Sequence, residues 1–110
     1  MNVNISGFSE IENKEITQRL ANIVIEMPQI SKSFEVLLKE ITSFPEGIEI
    51  SIDAKYDNCI AIYKKIDYYN WKFDLMKNNK LLFTQTLSNY EATIEIWNDI
   101  GNFYDVPLCL

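Results

Sequence analysis

The chain has 110 residues, of which 47% are hydrophobic and 13% aromatic, enough for one compact core and too few for two ordinary domains. Histidine is absent and there are only two cysteines, Cys59 and Cys109, with no CxxC spacing, so the usual general base, the usual partner of a Ser or Cys nucleophile and the commonest metal ligand are missing. Ten Lys and Arg against sixteen Asp and Glu give a net charge of -6, against which a direct nucleic-acid binder would have to work.

The opening MNVNISGFSE lacks the basic and apolar regions of a signal peptide, and no long apolar run follows, so a cytoplasmic protein that does not enter membranes is expected. Residues 9–27 place Ile16, Leu20, Ile23, Val24 and Met27 at helical spacing, Ser9 with Glu12 forms a capping-box pattern, and Pro28 ends the helix. Ile30, Phe34, Leu37, Leu38 and Ile41 repeat the pattern up to the stop signal Phe44-Pro45-Glu46-Gly47, and the short link between the two predicts an antiparallel helix pair.

After Gly47 the period changes from 3.6 to 2. Ile48, Ile50 and Ile52 alternate with Glu49, Ser51 and Asp53 as in a half-buried strand, and Lys55-Tyr56-Asp57-Asn58 reads as a turn. Cys59 to Ile66 is a second strand, apolar on both faces at Ile60, Ala61 and Ile62. The third runs through YYNWKFDLM, with Tyr69, Trp71, Phe73 and Leu75 on one face and Tyr68, Asn70, Lys72 and Asp74 on the other. Lys77-Asn78-Asn79-Lys80 predicts a hairpin turn, since Asn tolerates positive φ, and KLLFTQTL is the fourth strand.

The final element fits two descriptions. Ser88 with Glu91, the spacing of Tyr90, Ile94 and Trp97, and Gly101 as a stop describe a helix; the β-branched Thr93, Ile94 and Ile96 alternating with Glu95 would suit a fifth strand. The expected class is α+β: two N-terminal helices, a four-stranded antiparallel meander and a C-terminal helix or strand, in one domain spanning residues 1–110.

Glu91, Glu95 and Asp99 share a face in either case, because a spacing of four is nearly one helical turn and an even number of strand residues. On a helix such a row costs about 0.2–0.5 kcal/mol per adjacent pair, and the helix dipole disfavours Asp99. Residues 81–110 hold these three and Asp105 with no Lys or Arg, and so carry -4 of the net -6. A basic partner would explain the row; a merely solvated acidic face is the simpler account. Tyr68, on the polar side of its strand with Asp67 and Asp74 nearby, forms a second candidate patch of hot-spot composition. Base stacking on the aromatic strands is disfavoured, because Lys64, Lys65 and Lys72 are few and are matched by Asp67 and Asp74. Carboxylate pairs such as Asp53 and Asp57 lack the dense oxygen run of a calcium loop, and no Gly-rich phosphate loop exists. No enzyme activity, cofactor or metal is expected.

In size, acidity and wealth of Tyr, Trp, Asp and Glu, the chain resembles the small immunity proteins of bacterial toxin and contact-dependent growth inhibition systems. The resemblance is one of class, with no motif matched residue by residue. It implies a one-to-one complex with a basic protein toxin, commonly a nuclease, whose phosphate-shaped active site the carboxylates would occupy. The alternative is a small acidic secretion chaperone or adaptor, a homodimer holding an extended protein client.

Overall fold

The computed structural model describes residues 3–6, 10–26, 30–53 and 58–104. In chain order the elements are β1 (Val3–Ser6), α1 (Glu10–Glu26), α2 (Ile30–Ser43), β2 (Glu49–Asp53), β3 (Cys59–Lys65), β4 (Asn70–Lys77), β5 (Lys80–Ser88) and α3 (Asn89–Phe103). The strands form one antiparallel sheet in the order β1-β2-β3-β4-β5. The α+β class, the helix pair, the meander and its C-terminal helix agree with the sequence reading. An additional strand, β1, pairs with β2 from Val3↔Ile52 to Ser6↔Glu49. Its four residues are too few for alternation to announce it.

α1 buries Ile16, Leu20, Ile23 and Val24, and α2 buries Leu37 and Ile41, the positions that their 3.6-residue spacing puts on one stripe. The helices run in opposite directions, since Ser33 Oγ donates to Ile23 O at 2.7 Å near one end and Arg19 meets Glu40 at 3.1 Å further along. Ile23 O is one of the last four carbonyls of α1, so the buried Ser33 satisfies a group that the helix itself leaves open. Trp97 of α3 donates its indole N–H to the same hydroxyl at 2.9 Å, which pins all three helices at one point.

On the sheet, Ile50 and Ile52 of β2, Ala61, Tyr63 and Lys65 of β3, Trp71 and Phe73 of β4 and Leu87 of β5 point to the helices and are buried. Glu49, Ser51, Ile62, Lys64, Lys72 and Asp74 occupy the opposite face. Two turns need positive φ and receive residues that tolerate it: Gly47 at 86°, where its N–H reaches Lys65 O at 2.9 Å, and Asn78 and Asn79 at 50° and 65°, the type I′ signature of a two-residue hairpin. Of the turn expected at residues 55–58 only Asn58 is described, also with positive φ.

The last element is a helix. Ser88 accepts from the Glu91 N–H and Glu91 returns a bond to the Ser88 N–H, and the buried residues Ala92, Thr93, Ile96, Trp97 and Ile100 follow helical spacing. Gly101 does not stop it: the helix continues to Phe103, with Tyr104 as the C-cap. Tyr69, assigned to the third strand on the face of Trp71 and Phe73, instead lies before β4 and is 69% exposed.

One buried group holds several of these elements at once. Lys65 is 1% exposed, and its ammonium donates to Ile41 O at 3.1 Å, Thr42 O at 3.0 Å and Asn89 Oδ1 at 3.1 Å. It sits at the negative end of the α2 dipole, 5.3 Å from the centre of the Trp71 ring. Burial holds its pKa below the usual lysine value, an effect that the Asp67 charge opposes. Replacing Lys65 with Met should cost about 2–4 kcal/mol in urea unfolding, because two carbonyls and the Asn89 oxygen lose their charged donor. A loss below about 0.5 kcal/mol would show the ammonium to be dispensable.

Candidate functional site

The acidic row is positioned by the rotation of α3. Tyr90 packs its ring against Phe34 of α2 at 5.2 Å, and Trp97 reaches Ser33 of α2, so one flank of α3 faces α2. At 3.6 residues per turn, Glu91, Glu95 and Asp99 lie about 150° around the helix from that flank. α3 follows β5 directly and touches β4 and β5, so this flank begins, at Glu91, beside the end of β5, and its far end, at Asp99, reaches Tyr63 of β3.

The three carboxylates are not equivalent. Glu91 is exposed, but its carboxylate is engaged by the Ser88 N–H at 3.1 Å as half of the capping box. Glu95 is exposed. Asp99 turns inward and accepts a hydrogen bond from the Tyr63 hydroxyl beneath the helix. Burial pushes its pKa up to about 6, against the stabilising hydrogen bond from Tyr63 and with help from the Glu95 charge. The Tyr63 phenol is pushed up too, first by burial and then by Asp99 and Glu95. The outward charge of the row is therefore Glu91 and Glu95. Asp105 lies outside the described residues.

From Asp99 a line of rings leads to the sheet edge: Tyr63 packs on Phe73 at 5.0 Å and Phe73 on Phe83 at 5.5 Å. Phe83 is 46% exposed, and Leu81 and Leu82 beside it are each 54% exposed. Residues 80–86 of β5 are all exposed, and only Leu87 goes under α3. Leu82 is the extra residue of a β-bulge, because Leu75 pairs with Phe83 and Met76 with Leu81. KLLFTQTL shows its length and, past Lys80, its lack of charge in the sequence, but its place at the edge depends on strand order.

The second sequence-derived patch divides. Asp67 accepts from the Tyr69 N–H at 2.8 Å and the Asn70 N–H at 2.9 Å and contacts the Asn70 amide, bonds that lower its pKa and close the β3–β4 turn. Tyr68, 59% exposed, stands edge-on to Tyr69 at 4.9 Å, and its carbonyl accepts from Asn89 Nδ2 at 2.8 Å. Asp74 sits well along β4 on the far face of the sheet, paired with Lys72 at 3.6 Å, so it does not join Asp67 and Tyr68. Sequence reading also missed Lys65, whose alternation with Tyr63 places it inward although it is charged, and the exposed Tyr69 beside Tyr68.

Among the described residues no group of three or more Cys, Asp or Glu is arranged to hold a metal ion, and no helix is long and apolar enough to cross a membrane. The chain matches no protein-family model, and neither a curated protein nor a solved structure matches it.

Asp99 yields a prediction with a definite sign. A carboxyl whose folded pKa is about 6, against about 3.9 unfolded, binds its proton more tightly in the folded state, so stability falls as pH rises from about 4 through 6. Asp99→Asn removes this penalty. Relative to the unsubstituted protein it should gain up to about 3 kcal/mol between pH 4 and pH 7.5 in urea unfolding, the remaining carboxylates being common to both. A difference independent of pH would rule out the buried ionisation.

Proposed function

We propose that the protein is an immunity-type inhibitor that binds a basic protein toxin, a nuclease in the first instance, one-to-one and covers its active site with the acidic flank of α3. The observation that carries this reading is the pair Glu91 and Glu95, exposed on one helix flank in a stretch, residues 81–104, that contains no Lys or Arg. With no neighbouring cation in sequence to neutralise them, these carboxylates project a negative field that speeds encounter with a positive cleft and orients it. They also stand on a rigid support, since Ser88 caps the helix start and Trp97 and Asp99 tie its far half to α2 and β3. Little order has then to be imposed on binding. Tyr68 and Tyr69, at the same end as the start of α3, offer exposed aromatic area of the kind that anchors interfaces. On this reading the protein works in the cytoplasm, without a cofactor, and performs no catalysis.

A second reading, an adaptor or secretion chaperone for an extended client, draws support from the β5 strand, left uncovered among the described residues, and its exposed Leu81, Leu82 and Phe83.

The charge test must spare the cap. Glu91→Gln retains the return bond of the capping box, so it can be combined with Glu95→Lys. Tagged protein and the Glu91→Gln/Glu95→Lys variant are used to capture partners from lysate of the source cells, under washes of rising salt, and are sized by light scattering. The inhibitor reading expects one basic protein in equal stoichiometry, released early by salt, with affinity for the variant lowered at least tenfold through slower association. Equal capture by the variant would remove the acidic flank from the interface, and recovery of many clients on a dimeric bait would favour the adaptor.

A further inference from the structure

We infer that the edge of β5, which pairs with no further strand among the described residues, receives an extended strand of the protein partner, and that this strand carries Lys or Arg on the side facing α3. The inference rests on the reading of the α3 flank as a partner surface and adds how the partner docks there.

Edge strands present a row of unpaired N–H and C=O groups, which proteins ordinarily blunt with short length, charge, proline or a covering element. β5 has nine residues, the most of any strand here, and Leu81 to Ser88 contains neither a charged residue nor a proline. Its exposed run from residue 80 to 86 shows that α3 does not cover it. The lysines at 77 and 80 and the bulge at Leu82 protect only the hairpin end. β1, at the opposite edge, has four residues. β5 is thus the longer template for strand addition.

The charge around the edge selects its occupant. A strand added to β5 would lie about 4.8 Å beyond it and pass the start of α3, where the exposed Glu91 stands. Alternate side chains of that strand would point to the same side as Phe83 and Gln85, which are both exposed. A Lys or Arg there can lay its methylene stem on the exposed Phe83 ring and turn its cation toward the acidic flank of α3. A second copy of the chain fits poorly. Two-fold pairing of one β5 with another would turn the two acidic flanks toward each other, with only Lys77 and Lys80 of each hairpin end to offset the repulsion.

The test uses isotope-labelled full-length protein and three capped nine-residue peptides: alternating Lys and Val, the same with its backbone amides methylated along both edges, and alternating Glu and Val. With the Lys–Val peptide, amide exchange should slow at residues 81–86 and shifts should move there and at Glu91 and Glu95. The methylated peptide should bind at least tenfold more weakly and the Glu–Val peptide not measurably. Gln85→Lys, at an exposed position, should weaken the Lys–Val peptide at least fivefold. Equal binding of the methylated peptide, or no binding at millimolar concentration, overturns the proposal. So does slow exchange at residues 81–86 in a concentration-dependent dimer without peptide, which would give the edge to a second copy. If Glu91→Gln/Glu95→Lys weakens the peptide while methylation does not, strand addition fails and the acidic surface stands. If methylation abolishes binding while the charge variant changes nothing, the acidic reading fails and takes the basic character of the strand with it.

Discussion

The Lys65 ammonium is the point on which the arrangement of helices over the sheet depends. A lysine on the inner face of a central strand would ordinarily be expelled, because an unpaired charge in an apolar interior costs several kcal/mol. Here the last turn of α2 directs two carbonyls at it, Asn89 adds a third oxygen, and the faces of Trp71 and Tyr68 lie 5.3 and 5.8 Å away. No carboxylate takes part in these three bonds. The charge is compensated by dipoles, which ties its burial to the correct placement of two helix ends at once. Helix–sheet packing could slide by a turn at modest cost if the contact were only apolar; the ammonium requires one register.

That constraint passes directly to the acidic surface. Asn89, which accepts from Lys65 and from the Trp71 indole, also donates to the Tyr68 carbonyl, so the first residue of α3 is held from three sides. Ser88 and Glu91 then start the helix, and its rotation about its axis is fixed within its first turn. From there the direction of Glu95 and Asp99 follows from helical geometry alone. The exposed carboxylates thus stand on a surface whose orientation is set by a buried cation on the other side of the helix. Under the proposed inhibitor reading no moving part is needed, since the surface is held in place without a partner.

The acidic flank and the β5 edge meet through the line Asp99, Tyr63, Phe73 and Phe83. Tyr63 and Phe73 are buried and Phe83 is half-exposed, so the core comes to the surface at the sheet edge. Apolar area beside charge is the composition of a protein interface more than of a small-molecule cleft. The inward turn of Asp99 shortens the row but leaves a polar, titratable group behind the exposed pair, so the field on this face varies near pH 6.

Much of the architecture was legible in the sequence by itself, because local periodicity reports which face of an element is buried. The 3.6-residue spacing of Leu20, Ile23 and Val24 and of Leu37 and Ile41, the alternation of Ile48, Ile50 and Ile52, and the Asn78-Asn79 turn all match their structural roles. For residues 89–103 the β-branched cluster left two answers, and the long-range contacts of Trp97 and Asn89, together with the cap at Ser88, belong to the helix. The site was legible only as chemistry. Four-residue spacing placed Glu91, Glu95 and Asp99 on one face, but spacing along a helix does not say what lies opposite, and only the folded chain put Tyr63 beneath Asp99 and left Glu95 exposed. Asp67, Tyr68 and Asp74 are close in sequence, yet the β3–β4 turn sends Asp74 to the other side of the sheet. Composition and periodicity thus determined α1, α2, β2 to β5 and the charge they carry, but neither β1 nor the choice of helix for the last element. Tertiary structure decided which charges face outward, which strand became the edge and why Lys65 is buried, since each of these depends on partners distant in sequence.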